Sequence, residues 1–253
     1  MHCNYHKLTR IFALVLAVLG TVTLALTLAP SSAVLASNRL IPIYSVGQRM
    51  DTVSLTFDAA WGADKTRQIL DCLDKLGVKC TFFLVSIWVD KYPNLVKEID
   101  NRGHEIGTHS CTHGDMTKMS KQQITQELKD SCKAITDITG KQVKLFRPPF
   151  GAYNNTLIEI ATELGLTTIQ WSVDSLDWKG IKAGQIAINI QKSSGGDIIL
   201  CHNNSDHIVD AIPLIYQALT VKNLSIVPVG QLIYWQDYHI DHTGKQHTNC
   251  NNQ

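Results

Sequence analysis

From residue 52 onward, short β-branched apolar runs alternate with longer amphipathic stretches, and no other feature limits the fold as strongly. Strands are expected at Thr52–Phe57, Cys80–Val85, Glu105–Gly107, Lys144–Phe146, Thr167–Trp171, Asp197–Cys201 and Ser225–Pro228. The intervening segments read as helices: Lys65–Leu76, Asn94–Asn101, Lys121–Thr139, Asn155–Leu164, Ala183–Gln191 and Val209–Leu219. Gly77 and Gly140 close two of them. Strands separated by helices pair in parallel, and seven of them without a linker favour a closed or nearly closed α/β barrel over an open sheet. No Gly-rich loop follows the first strand, which argues against dinucleotide binding.

The segment before this core has a different character. Residues 1–36 hold Lys7 and Arg10, no acidic residue, and an uncharged run from Ile11 to Ala29. Nineteen residues at about 1.5 Å each span roughly 28 Å, close to a bilayer core. Residues 1–36 are therefore expected to be a signal peptide, cleaved after Ala36, or a retained N-terminal membrane anchor. In either case the basic start places the rest of the chain outside the cytoplasm, secreted or anchored. A linker at 37–50, a catalytic domain at 51–236 and a polar, frayed tail at 237–253 complete the expected organisation.

The whole chain has 23 basic and 22 acidic residues. Without the first 36 residues the balance is 21 to 22, a net of −1. A balance so close to neutral gives no general basic field for nucleic acid. Six cysteines follow the export segment at irregular spacing with no CxxC pair, so buried free thiols are expected rather than a disulfide framework or a cysteine zinc site. Nothing in the sequence calls for an oligomer, and a monomer is expected.

In parallel barrels the chemistry gathers at the carboxyl ends of the strands. There the sequence places Asp58, His109 and His113, Arg147, Asp174 and Asp177, and His202. Each has an ordinary explanation: Asp58 as a helix cap, Arg147 in a turn, His202 as a core histidine. His109 and His113 are four residues apart, so in a helical turn both imidazoles share a face and can bind one divalent metal. These ordinary explanations would all have to hold together at one end of successive strands.

The order TFD, HSCTH, RPPFGAY, DSLDW and LCHN, covering Val53 to Leu232, resembles the polysaccharide deacetylases of carbohydrate esterase family 4, the NodB-homology domain. The AAWG after Asp58 looks most like the sporulation-associated PdaB-type branch. The resemblance implies a distorted (β/α) barrel of about seven parallel strands that removes acetyl groups from N-acetylated glycans, peptidoglycan or chitin-like. It implies Asp58 as general base and His202 as general acid, with Arg147 orienting the base and Asp174 the acid. His109 and His113 would bind a divalent metal, zinc before cobalt or another ion, and Tyr153, Trp171, Trp178 and Leu200 would wall the sugar and acetate pockets. One position departs from the pattern: the family's second aspartate, a metal ligand, is here Ala59. Either Asp58, water or a nearby group fills that coordination place, or the protein is a catalytically silent glycan-binding protein.

Overall fold

The computed structural model describes residues 39–249; the expected export segment lies outside the described residues. The core begins with β1 (Ser45–Val46) and β2 (Thr52–Ala59), then α1 (Thr66–Lys75), β3 (Thr81–Leu84), α2 (Ser86–Lys91), α3 (Pro93–Asn101) and β4 (Glu105–Thr108). It continues through α4 (Lys121–Thr139), β5 (Leu145–Phe146), α5 (Asn155–Glu163), β6 (Thr167–Thr168), β7 (Val173–Asp174), α6 (Ala183–Ile190) and β8 (Ile198–His202). Last come α7 (Ile208–Val221), β9 (Ser225–Ile226), α8 (Val229–Leu232) and the hairpin β10 (Tyr238–Ile240) and β11 (Lys245–Thr248).

The main sheet runs β6-β5-β4-β3-β2-β8-β7, every neighbouring pair parallel, with β9 taking the first two residues of β2. This is the expected α/β barrel of NodB type, and it is distorted at one seam. The single strand expected at Thr167–Trp171 is two short ones: Thr167 and Thr168 pair with β5 at one edge, and Val173 and Asp174 with β8 at the other. One stretch of chain thus bridges both edges of the curled sheet. Ile43 wedges in beside Ile169 between them, taking the Thr168 carbonyl and giving its own to Gln170.

β2 is central and buried, with Val53, Leu55 and Phe57 fully enclosed. The strand extends two residues past its expected end, so Asp58 and Ala59 belong to the ladder, opposite Phe83 and Leu84 of β3. Helix α4 has its expected bounds because both ends are specified chemically. Ser120 and Gln123 form a reciprocal capping box, and Gly140 closes the other end in the left-handed conformation. α2 was not anticipated; its six residues are too few for a helical period to show.

The segments expected to be a linker and a frayed tail are folded together. β1 pairs in parallel with β11, which pairs in antiparallel fashion with β10. Gln246 is fully buried and its side chain holds both the N–H and the carbonyl of Tyr234. Ile43 and Val46 pack with Leu145, Ile169, Val229 and Leu232 in a second core. A polar sequence concealed this because an edge hairpin needs few apolar residues. Among the described residues five cysteines, at 72, 80, 111, 132 and 201, are free thiols; Cys250 lies outside them. No helix of the described residues is long and apolar enough to cross a membrane.

Candidate active site

β2 and β8 set Asp58 and His202 side by side, as paired residues of one parallel ladder. Around them a cleft of about 730 Å³ opens, lined by His109, His113, Trp61, Phe150, Trp171, Asp174, Asp177, Trp178 and Leu200 among others. Apart from Leu200, in the middle of β8, those named lie at or beyond the carboxyl ends of their strands.

Asp58 is 6% exposed and its two oxygens have different neighbours. Oδ1 accepts Nη1–H of Arg147 at 2.7 Å, while Oδ2 lies 3.5 Å from His109 Nε2. Burial alone would raise the Asp58 pKa, but Arg147, then His109 and His202, outweigh it and hold the carboxyl below its ordinary value. Arg147 is completely enclosed, donating also to Thr56 Oγ1 at 2.7 Å and the Gln170 carbonyl at 3.1 Å, with its guanidinium 4.1 Å from the centroid of Phe83. A buried guanidinium with this fixed set of acceptors can orient one carboxylate oxygen and leave the other facing the cleft.

His109 donates Nδ1–H to the Arg147 carbonyl at 2.7 Å, which leaves Nε2 without a proton in the neutral ring. Burial keeps the ring neutral, lowering its pKa to about 4. Nε2 and the ionised Asp58 Oδ2 therefore face one another as two acceptors. This contact is unfavourable in a dry site unless a cation or a proton lies between them. Two donors each about 2.0–2.2 Å from a tetrahedral zinc ion lie roughly 3.4 Å apart, close to the 3.5 Å found here.

His113 adjoins the pair, its ring centroid 5.0 Å from that of His109, and burial lowers its pKa as well. The two histidines are not on a helical turn as expected. Ser110 and His113 have φ of 72° and 57°, and the loop is shaped by Glu127 of α4. Its carboxylate accepts from the Cys111 and Thr112 amides and the Thr112 hydroxyl. A remote glutamate leaves no local sequence signal. Among the described residues no three His, Cys, Asp or Glu side chains are already gathered around one point. The donor set suits a divalent ion on His109 Nε2 and His113, beside Asp58 Oδ2; Ala59, buried in the main core, supplies no donor.

His202 is held by Asp177, not by Asp174. Asp177 Oδ1 accepts Nδ1–H at 2.8 Å and Oδ2 accepts the His202 backbone N–H at 2.8 Å. Burial lowers the His202 pKa, but Asp177 outweighs it and the net shift is upward; the protonated ring would carry Nε2–H toward the cleft. Asp174 instead turns back to accept the backbone N–H of Leu176, at 2.8 Å, and caps a turn in which Leu176 has φ 58°. Both aspartates of DSLD line the cleft, but Asp177 is the one that holds the imidazole.

Of the four residues expected to wall the pockets, Trp171, Trp178 and Leu200 line the cleft. Tyr153 does not: its hydroxyl lies 3.3 Å from Arg39 Nη2 and 3.5 Å from the Tyr44 hydroxyl, fastening the segment that precedes β1. Trp61 and Phe150, not expected there, are at the rim, 64% and 69% exposed.

An opposed carboxylate and imidazolium in a cleft, with a pair of histidines beside the carboxylate, define a hydrolase site able to activate water and protonate a leaving group. The comparisons agree with that class. The family model for polysaccharide deacetylase matches residues 46–169. A peptidoglycan-N-acetylglucosamine deacetylase of Bacillus cereus is 36% identical over 71% of this chain and 67% of its own. The peptidoglycan-N-acetylmuramic acid deacetylase PdaA of Bacillus subtilis is 36% identical over 68% of this chain and 70% of its own. Among solved structures, a pseudoenzyme of carbohydrate esterase family 4 from Bacillus anthracis superposes with a TM-score of 0.74 at 29% identity, covering 81% of this chain and 72% of that one. The chain belongs to the polysaccharide deacetylase family, the carbohydrate esterase family 4 hydrolases.

Proposed function

We propose that the protein is an exported deacetylase that hydrolyses the N-acetyl groups of cell-wall aminosugars, with peptidoglycan as the polymer and sporulation as the setting. The observation that carries this reading is the placement of Asp58 and His202 as ladder partners, each fixed by its own buried counterion, Arg147 and Asp177. Asp58 takes a proton from water as the water oxygen bonds to the acetamide carbon. His202 Nε2–H then protonates the nitrogen as the C–N bond breaks, giving acetate and a free amine. His109 and His113, together with water, would hold a divalent ion, zinc first, whose chemistry when bound is to polarise the carbonyl and lower the pKa of water. Arg147 keeps Oδ1 occupied, so that a single oxygen of Asp58 serves the cleft.

The basic, uncharged and small-residue order of residues 1–36 supports export, with the membrane involved through that segment alone. The domain is proposed to act as a monomer. Ala59 favours a second reading: a glycan-binding protein of the spore without turnover, as the pseudoenzyme neighbour makes concrete. Acetate release from peptidoglycan and from chitin-type oligosaccharides, measured with chelator and with added zinc or cobalt, separates the two. Metal-dependent release supports the deacetylase, and glycan binding without release supports the silent protein.

A further inference from the structure

Trp61 exposes 64% of its surface at the rim of the cleft although the backbone beside it is firmly held. The Gly62 carbonyl accepts Nε1–H of Trp88 at 2.6 Å and the side-chain N–H of Asn203 at 3.1 Å, both donors from residues only 1% exposed. Gly62 itself has φ 62°, and a Cβ there would lie 2.6 Å from Asn204. The indole is thus kept in water by a rigid turn, edge-on to the His113 ring at 6.1 Å between centroids. A flexible loop would fold such a ring inward, since burial of an aromatic side chain is favourable.

The cleft has a second exposed indole, Trp178, 58% exposed. In the strand order β4-β3-β2-β8-β7, Trp61 leans toward the β4 loop through His113, and Trp178 follows β7. Both rings line the cleft that holds Asp58 and His202. Sugar rings offer flat faces of C–H groups that stack on aromatic rings without any charge. No Lys or Arg is among the residues lining the cleft, and an exposed indole offers a neutral glycan a stacking face beside polar groups such as Asn204 and Asp206.

We propose that Trp61 stacks on the sugar next to the one that reacts, making the site selective for a glycan chain over a single aminosugar. This rests on the glycan-deacetylase reading. The test uses the full chain in detergent micelles and compares binding of N-acetylglucosamine and its tetramer by calorimetry. Wild-type protein is expected to bind the tetramer more tightly. Trp61→Ala is expected to weaken the tetramer about tenfold and leave the monosaccharide unchanged, and Trp61→Tyr to restore most of the loss. An exposed position makes misfolding an unneeded explanation, and an unchanged melting temperature checks it. Unaltered tetramer affinity in Trp61→Ala, or an equal loss for the monosaccharide, overturns the proposal. Wild-type protein that binds neither sugar overturns both this proposal and the deacetylase reading. Binding with the expected Trp61 dependence but no acetate release supports the subsite and overturns catalysis alone.

Discussion

Asp177 holds His202 at two points, one carboxylate oxygen on the ring Nδ1–H and the other on the backbone N–H, each at 2.8 Å. A carboxylate gripping both main chain and side chain fixes the ring's position, tautomer and charge together. Asp174, three residues earlier, has spent one oxygen on its own turn at Leu176.

Replacing Asp177 by Asn is accordingly expected to lower kcat by at least about 10²-fold, far more than Asp174→Asn. A general acid works protonated, so activity falls as pH rises through its pKa. Asp177 raises that pKa, and Asp177→Asn should therefore shift the alkaline limb of the pH–rate profile to lower pH. The same pairing contributes stability that is fully present below the unfolded histidine value of about 6.5 and is lost as pH rises through the higher folded value. Equal effects of Asp174→Asn and Asp177→Asn on the alkaline limb would refute the assignment.

Arg147→Met removes the guanidinium that pairs with Asp58 while keeping its bulk. Asp58 then loses the largest of the neighbours that depress its pKa, so the pKa rises. A general base works ionised, so the acid limb of the profile should move to higher pH. In the native protein the depressed Asp58 pKa contributes stability above the unfolded carboxyl value of about 3.9, lost as pH falls through the lower folded value. Breaking one side of a buried pair costs about 3–5 kcal/mol, so a marked fall in melting temperature should accompany the shift. A stable variant with an unmoved acid limb would count against the pair.

Much of this site was legible because its residues stand at strand ends in fixed order. Asp58, His109, Arg147 and His202 each follow an apolar run, and parallel pairing brings such ends together whatever the loops do. What was not legible depends on loop torsions. The left-handed Leu176 exchanges the roles of Asp174 and Asp177, and the left-handed Ser110 and His113 replace the helical turn expected for HSCTH. Tyr153 was lost to the cleft through a contact with Arg39, 114 residues away in sequence. The terminal hairpin was missed because its burial rests on one residue, Gln246, whose polarity suggests a surface.

That hairpin is expected to stabilise the barrel seam. Deleting residues 238–253 uncovers Ile43 and Val46, which pack beside Ile169 where β6 and β7 part. A loss on the order of 2 kcal/mol corresponds to a fall of roughly 4–8 °C in melting temperature for a domain of this size. Thermal unfolding of the truncated chain measures it, and an unchanged midpoint would show the small sheet to be an appendage.

Ala59→Asp places a carboxylate where there is no water to hydrate it, since Ala59 is 1% exposed. In chelator the variant should be destabilised by several kcal/mol. Adding zinc should recover most of that loss and raise metal affinity, since a carboxylate becomes the third ligand beside His109 and His113. A melting temperature that zinc leaves unchanged would assign residue 59 to the core alone.

The opposed roles of Asp58 and His202 are tested most directly by single-turnover acetate release from an N-acetylated glycan by the wild type, Asp58→Asn, His202→Asn and the double variant. Each single substitution should cut the rate by about 10²–10⁴-fold, and the double variant should be little slower than the worse single one, because both groups serve one transition state. Acetate release at the wild-type rate from either single variant would contradict the assignment of base and acid.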